Sequence, residues 1–249
     1  MNAATRLACG AVGLAALVAA WEAGHRAFWP ARTAGAGRKP VSTLATLIMT
    51  GKAGPALAVT ALDALGGWLA GAVLGAALGV AGGLVPPLGA ALRPVTTVIL
   101  GVPPIAWVVL ALLWFGPAGL SAGFTVLVTV LPIVFAGAFQ GILARDPALG
   151  EMARAFGAPP LLRLRALIVP QLLDHLLPAL ATALAFAWKV AVMAEVLGGG
   201  TGIGGEIATA RAHLDLAETL AWVMLTVALL LACDAVLLNP IRRRARGAA

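Results

Sequence analysis

The chain alternates long apolar runs with short polar connections. Six runs approach or exceed the length of about 20 residues that a helix needs to cross the hydrocarbon core of a bilayer. They lie roughly at 7–22, 56–84, 94–115, 119–143, 175–197 and 217–238. The second run is longer than a crossing needs, which indicates a tilted or partly interfacial helix. The pattern therefore predicts an all-α integral membrane protein with about six transmembrane helices in a single domain spanning 1–249.

The first run is open to a second interpretation. Arg6, an apolar stretch and the small residues before Trp21 also fit a secretory signal peptide. We favour a true span over 7–22, because several more spans follow and need an anchor of defined orientation.

Composition agrees with a membrane protein. Hydrophobic residues make up 61% of the chain and charged residues 11%, and the mean hydropathy is +0.99. These values lie far from those of soluble domains. Glycine and proline sit inside the apolar runs, as transmembrane helices tolerate.

Basic residues predict the orientation, because cytoplasmic loops carry an excess of Lys and Arg. With the N-terminus inside, ten basic residues fall on the cytoplasmic side and six outside; Lys189 lies within a span. The inner group is Arg6, Arg93, Arg145, Arg154, Arg163, Arg165, Arg242, Arg243, Arg244 and Arg246. We expect the protein to lie in a prokaryotic inner membrane with both termini on the cytoplasmic side. The net charge of +7 is explained by topology and by contacts with lipid headgroups, so no nucleic-acid partner is expected.

Residues for chemistry are scarce. Cys9 and Cys233 are expected to be free thiols, and the three histidines are scattered without metal-ligand spacing. The glycine-rich stretch at 198–206 lacks the lysine and the following Ser or Thr of a phosphate-binding loop. We expect no metal, no catalytic residue and no ATPase in this chain.

Glycines recur every four residues in the second run. The set is Gly67, Gly71, Gly75, Gly79 and Gly83. On a helix they form a smooth groove that lets a neighbouring backbone approach closely. Tight helix packing is the favoured interpretation, and a hinge or a substrate-lining surface is the alternative.

One long polar segment, residues 144–175, interrupts the apolar pattern and is called the polar segment below. Asp146 and Pro147 suit a helix start, Gly157 suits a left-handed helix end, and Pro159 with Pro160 can open a second short helix that Pro170 closes or kinks. The first helix, about 11 residues or about 16 Å long, is too short to span a bilayer. We interpret the segment as a docking protrusion for a cytosolic partner, with an interfacial amphipathic hairpin as the alternative.

The residues of this segment resemble the EAA loop of ABC importer permeases. In EMARAFG (151–157), Glu151, Ala155 and Gly157 match, Met152 replaces an alanine, and Ile168 with Pro170 completes the spacing. The stretches GVPPIAWVVLALLWFG (101–116), Asp146-Pro147 and MAEVLGGGTGIG (193–204) resemble the permeases of nitrate, sulfonate, taurine and bicarbonate importers in order and spacing. The resemblance covers about residues 60–240.

The resemblance implies a type I importer permease fold that works as a pair of permease subunits, expected to be a homodimer. Each copy would dock a cytosolic ABC ATPase, which binds ATP and Mg, while an extracytoplasmic protein delivers the solute. Glu151, Arg154, Ala155, Gly157, Ile168 and Pro170 are the implied docking residues. The chain departs from the family at the start of the second span, where Thr60 replaces a serine and Asp63 an arginine.

Two charged residues of the fifth run are candidates for the translocation path. Lys189 lies near the middle of the span and Glu195 near its outer end. Intramembrane charges usually face a bundle interior or a pathway. Lys189 either pairs internally, with Asp63 or Asp234, or lines the path and favours a small anionic or polar solute.

Three other classes of protein remain as alternatives. A stand-alone secondary carrier would also suit six glycine-rich helices, but it would work without an ATPase. A membrane scaffold is disfavoured by the charges in the fifth run. A membrane enzyme is disfavoured because no nucleophile, metal set or paired carboxylates are visible.

Overall fold

This computed structural model describes residues 40–117 and 120–233, together with 12–13, 15–16, 19–20 and 23. The two long ranges are helical, and their helices are α1 (Pro40–Met49), α2 (Ala53–Leu84), α3 (Pro86–Gly101), α4 (Pro104–Phe115), α5 (Leu120–Leu143), α6 (Pro147–Ala155), α7 (Pro160–Arg163), α8 (Val169–Gly198), α9 (Ile203–Ala212) and α10 (Leu216–Cys233). Most of the first predicted span and the basic C-terminal tail lie outside the described residues.

The described helices confirm an all-α membrane fold. Four are long and apolar enough to cross a bilayer: α2, α5, the continuous helix over Pro160–Gly198, and α10. The bent pair α3–α4 makes a fifth if it is counted as one span. Large apolar side chains such as Leu62, Leu69 and Val73 stay exposed on α2, as expected for a face that meets lipid or another subunit.

The centre of the bundle is a three-helix core of α2, α5 and α8. The glycines at every fourth position of α2 place its backbone directly against α5. A Cβ atom added at Gly75 would come within 2.5 Å of the Leu131 carbonyl oxygen. On the other side of α5, Gly137 and Gly141 let it pack closely against α8. Small residues therefore set the spacing of the core.

A second cluster joins α1, α9 and α10 to the start of α2. Trp222 of α10 is fully buried there and packs with Leu47 of α1, Ala56 of α2 and Ile203 of α9. The short helix α9, which follows the glycine turn, is thus fixed to the bundle by apolar contacts on several sides.

The predicted span over 94–115 is not one unbroken helix. The helix begins earlier, at Pro86, and is divided at Val102–Pro103, where α3 and α4 meet at an angle of 93°. The cause is the Pro103-Pro104 pair, which removes two consecutive backbone N–H donors and forces extended geometry on Val102 (φ −74°, ψ 126°).

Of the two outcomes predicted for Pro170, a helix end does not occur. A π-helical turn over Leu164–Ile168 links α7 to α8, so one continuous helix runs from Pro160 to Gly198. The Val169 N–H donates to the Leu164 carbonyl, five residues back. This wider turn accommodates a proline that has no N–H to continue the regular ladder.

Candidate docking surface and glycine-turn cluster

The first helix of the polar segment is held at both ends by its own sequence. At its start, the Asp146 carboxylate accepts a hydrogen bond from the Ala148 N–H at 2.8 Å, and Pro147 occupies the first helical position. This confirms the predicted N-cap. The helix covers nine residues, slightly fewer than expected.

Gly157 ends this helix in the predicted left-handed conformation, with φ +68°. The Ala158 N–H donates to the Ala153 carbonyl and the Gly157 N–H to the Arg154 carbonyl. This pair of bonds is a Schellman motif, which satisfies carbonyls that would otherwise be unpaired. Glycine is favoured here because other residues adopt positive φ only with strain.

The helix projects from the bundle and buries none of its side chains. Glu151, Arg154, Ala155 and Gly157 are all exposed. Phe156, beside the glycine, is 84% exposed. A projecting helix that combines exposed charge with an exposed aromatic ring offers both the anchor and the polar rim of an interface.

Behind the helix, a cavity of about 780 Å³ separates it from the ends of the long helices. Arg145, Arg154 and Arg163 line this cavity together with Ile168. The Gln171 side chain closes one side by accepting a hydrogen bond from the Asp146 N–H at 3.1 Å. This contact ties the start of α6 to the start of α8.

The structure thus places five of the six predicted docking residues in two groups. Arg154 and Ile168 share the cavity, and Glu151, Ala155 and Gly157 belong to the projecting helix and its end. Pro170 is exposed near the start of α8 and does not line the cavity.

At the other end of α8, Glu195 lies in a buried cluster that we call the glycine-turn cluster: Thr60, Glu195, Ile203 and Gly204. Glu195 is 4% exposed. Its Oε2 accepts hydrogen bonds from the Thr60 hydroxyl at 2.9 Å and from the Gly204 N–H at 2.8 Å. The Thr60 hydroxyl also accepts from the Ile203 N–H at 2.9 Å.

The glycine-turn cluster caps the N-terminus of α9. Two of the unpaired N–H groups that begin any helix are satisfied there, and a carboxylate sits at the positive end of the helix dipole. Gly202 allows this approach, because a side chain at that position would collide with the Glu195 carboxylate. The contact between Thr60 and Glu195 joins residues far apart in the chain, so no local sequence signal predicts it.

Lys189 does not meet Asp63 in the structure. Its side chain is exposed, and its ammonium lies 5.6 Å from the centre of the Phe186 ring. Among the described residues it has no acidic partner. Asp234, the other suggested partner, lies outside the described ranges.

The chain is similar to subunits of known transport systems. A model of the family described as binding-protein-dependent transport system inner membrane component matches residues 71–239. The putative aliphatic sulfonates transport permease protein SsuC of Bacillus subtilis (strain 168) is 29% identical over 171 residues, which is 69% of this chain and 62% of that protein. The chain therefore spans less than two thirds of the length of this relative.

One more relative and one solved structure are similar to this chain. The nitrate import permease protein NrtB of Synechococcus elongatus is 29% identical over 117 residues, which cover 47% of this chain and 42% of the relative. The crystal structure of an amino acid ABC transporter with histidines has a chain that superposes with a TM-score of 0.61 at 20% identity. The superposition covers 81% of this chain and 98% of the other. At that identity, the likeness shows a shared fold.

Proposed function

We propose that this chain, which belongs to the family of inner membrane components of binding-protein-dependent transport systems, is the transmembrane permease subunit of an ATP-driven importer. In this role the chain is not an enzyme. A separate cytosolic ABC ATPase binds ATP and Mg, and an extracytoplasmic protein delivers the solute. Two copies of the chain form the pathway as a homodimer.

The projecting helix α6 is the observation that carries this proposal. A short helix with no buried side chain, fixed at both ends and followed by an exposed Phe156, has the form of an element inserted into a partner. Glu151 and Arg154 provide polar contacts at its rim, and the small residues Ala155 and Gly157 allow close approach. Closure of the ATPase would move this helix and, through it, the spans.

The names of the relatives support the nature of the solute. They are called sulfonate and nitrate permeases, which suggests a small anionic or polar compound here as well. In this proposal the protein spans a prokaryotic inner membrane several times, with both termini and the polar segment in the cytoplasm.

The docking role is tested by exchanging Gly157 for Asp and, as a matched control, for Asn. Both residues have the same size, and both tolerate positive φ better than most. We expect Gly157→Asp to insert normally but to lose ATPase co-purification and transport, because it buries a charge in the interface. Gly157→Asn should retain much of both. A Gly157→Asp complex that transports at the parental rate would contradict the docking role, and uptake with no ATPase present would favour a stand-alone carrier.

The orientation is tested with single cysteines in a background that lacks Cys9 and Cys233. A cysteine introduced as Ala158→Cys should react with a membrane-impermeant thiol reagent from the cytoplasmic side alone. One introduced as Thr201→Cys, at the exposed glycine turn, should react from the opposite side. Labelling with the reverse sidedness would overturn the proposed topology.

A further inference from the structure

Asp63 is a carboxylate in the apolar helix α2 that has no counterion among the described residues. It is half-buried, and none of the described side chains forms a hydrogen bond or ion pair with it. A charge in a membrane span is costly unless it faces a pathway or a partner group. A positively charged group beside Asp63 would therefore stabilise this carboxylate.

Two adjoining cavities meet at Asp63. The first, of about 280 Å³, is shared with Glu195 and the glycines that follow α8. The second, of about 390 Å³, lies between α2, α4 and α5. Because two carboxylates line the first cavity and no basic residue of the described ranges lines either one, both favour positive charge.

The second cavity adds aromatic rings to this carboxylate. Phe115 and Phe124 line it, with their ring centres 5.1 Å apart, and Trp114 stands edge-on to Phe124 at 5.8 Å. The remaining lining is aliphatic or glycine. Aromatic faces attract organic cations through the ring quadrupole, and an ammonium group with alkyl substituents suits such walls.

We propose that this cavity, called the Asp63 cavity, binds the ammonium group of an amine-bearing solute on its way through the permease. The proposal rests on the function proposed above and specifies the class of solute, whether or not that solute carries an anionic group elsewhere. Asp63 supplies the charge, and Phe115 and Phe124 supply the faces. The volume of the cavity falls within the range typical of small-molecule sites.

The test uses radiolabelled choline as the probe on the purified complex in detergent, without ATP. We expect saturable binding that unlabelled choline displaces. The uncharged analogue 3,3-dimethyl-1-butanol, which has nearly the same shape, should compete at least tenfold more weakly. Equal competition by the two compounds would show that charge plays no part and would overturn the proposal.

Variants locate the site. Asp63→Asn should weaken choline binding at least tenfold, Asp63→Glu should keep most of it, and Phe124→Leu should weaken it by a factor of about 2 to 30. The matched controls are Asp174→Asn and Phe186→Leu, both at exposed positions of α8, and they should bind as the parent does.

Other outcomes separate the alternatives. Unchanged choline binding by Asp63→Asn would overturn the proposal. Loss of the dimer in Asp63→Asn on size exclusion would overturn it as well, because Asp63 would then pair with a basic group of another subunit. ATPase co-purification is measured on the same preparation, so choline binding without an ATPase would reject the importer function while leaving the Asp63 cavity as a cation site.

Discussion

The backbone contact between α2 and α5 can be tested by adding one methyl group. In Gly75→Ala, the new Cβ would lie 2.5 Å from the Leu131 carbonyl oxygen and 3.1 Å from the Phe135 nitrogen. Ordinary contacts begin at 3.4 Å, so the first distance is about 0.9 Å too short. Both neighbours are backbone atoms, which cannot rotate away as a side chain can. The two helices must therefore separate.

Gly66→Ala is the matched control on the same helix. A Cβ at Gly66 meets nothing within 4 Å. Both substitutions gain helix propensity of about 1 kcal/mol, which cancels when they are compared. Overpacking of a tight core costs about 1–3 kcal/mol. We therefore expect Gly75→Ala to be less stable than Gly66→Ala by about 1–3 kcal/mol.

The assay is reversible unfolding of the purified chain in mild detergent by added sodium dodecyl sulfate, followed by tryptophan fluorescence. The free energy of unfolding follows from the midpoint and the slope of the transition, and equal slopes show that the same unfolding is compared. Coinciding midpoints for the two variants would refute the backbone contact between α2 and α5.

Two further substitutions address the exposed Lys189 of α8 and the glycine-turn cluster. Lys189→Met should leave complex assembly and the unfolding midpoint unchanged, because the ammonium is exposed and has no described acidic partner. The same variant should lower solute uptake. A fully active variant would eliminate a role of Lys189 in the translocation path. Thr60→Val should lower the free energy of unfolding by about 1–3 kcal/mol, since it leaves the Ile203 N–H without its bond and removes one from the Glu195 carboxylate. The control Thr209→Val, whose hydroxyl bonds within its own helix, should change stability by less than half as much, and equal losses would contradict the role of the cluster.

Local signals predicted much of the polar segment. Asp146 followed by proline, and Gly157 followed by two prolines, are start and stop signals that depend on neighbouring residues alone. The structure places a cap and a Schellman motif at these positions. The membrane class and most span positions likewise follow from apolar runs. A helix that crosses the bilayer needs about 20 predominantly apolar residues in a row, and such a run is visible in the sequence alone.

The helix breaks at prolines could not be predicted correctly, because one local signal has two structural outcomes. Pro103-Pro104 and Pro170 both interrupt apolar or amphipathic runs, yet the first produces a sharp bend and the second is absorbed by a π-helical turn. Which outcome occurs depends on the packing of the neighbouring helices, and hydropathy does not contain that information.

The sites that depend on tertiary contact could not be predicted. Thr60 and Glu195 are separated by 135 positions in the chain. Asp63, Phe115 and Phe124 line one cavity only because three helices converge. Each residue type was visible in the sequence. Their grouping is a property of helix packing, as is the exposure of Lys189.

The continuous helix from Pro160 to Gly198 is long enough to turn a small tilt at one end into a large displacement at the other. Its 39 residues measure about 58 Å at about 1.5 Å per residue. A tilt of about 5° around one end displaces the other by about 5 Å, a distance comparable with one turn of helix. If a partner bound at the polar segment tilts this helix, the displacement reaches the glycine-turn cluster along the helix itself and needs no relay of side chains between the two ends.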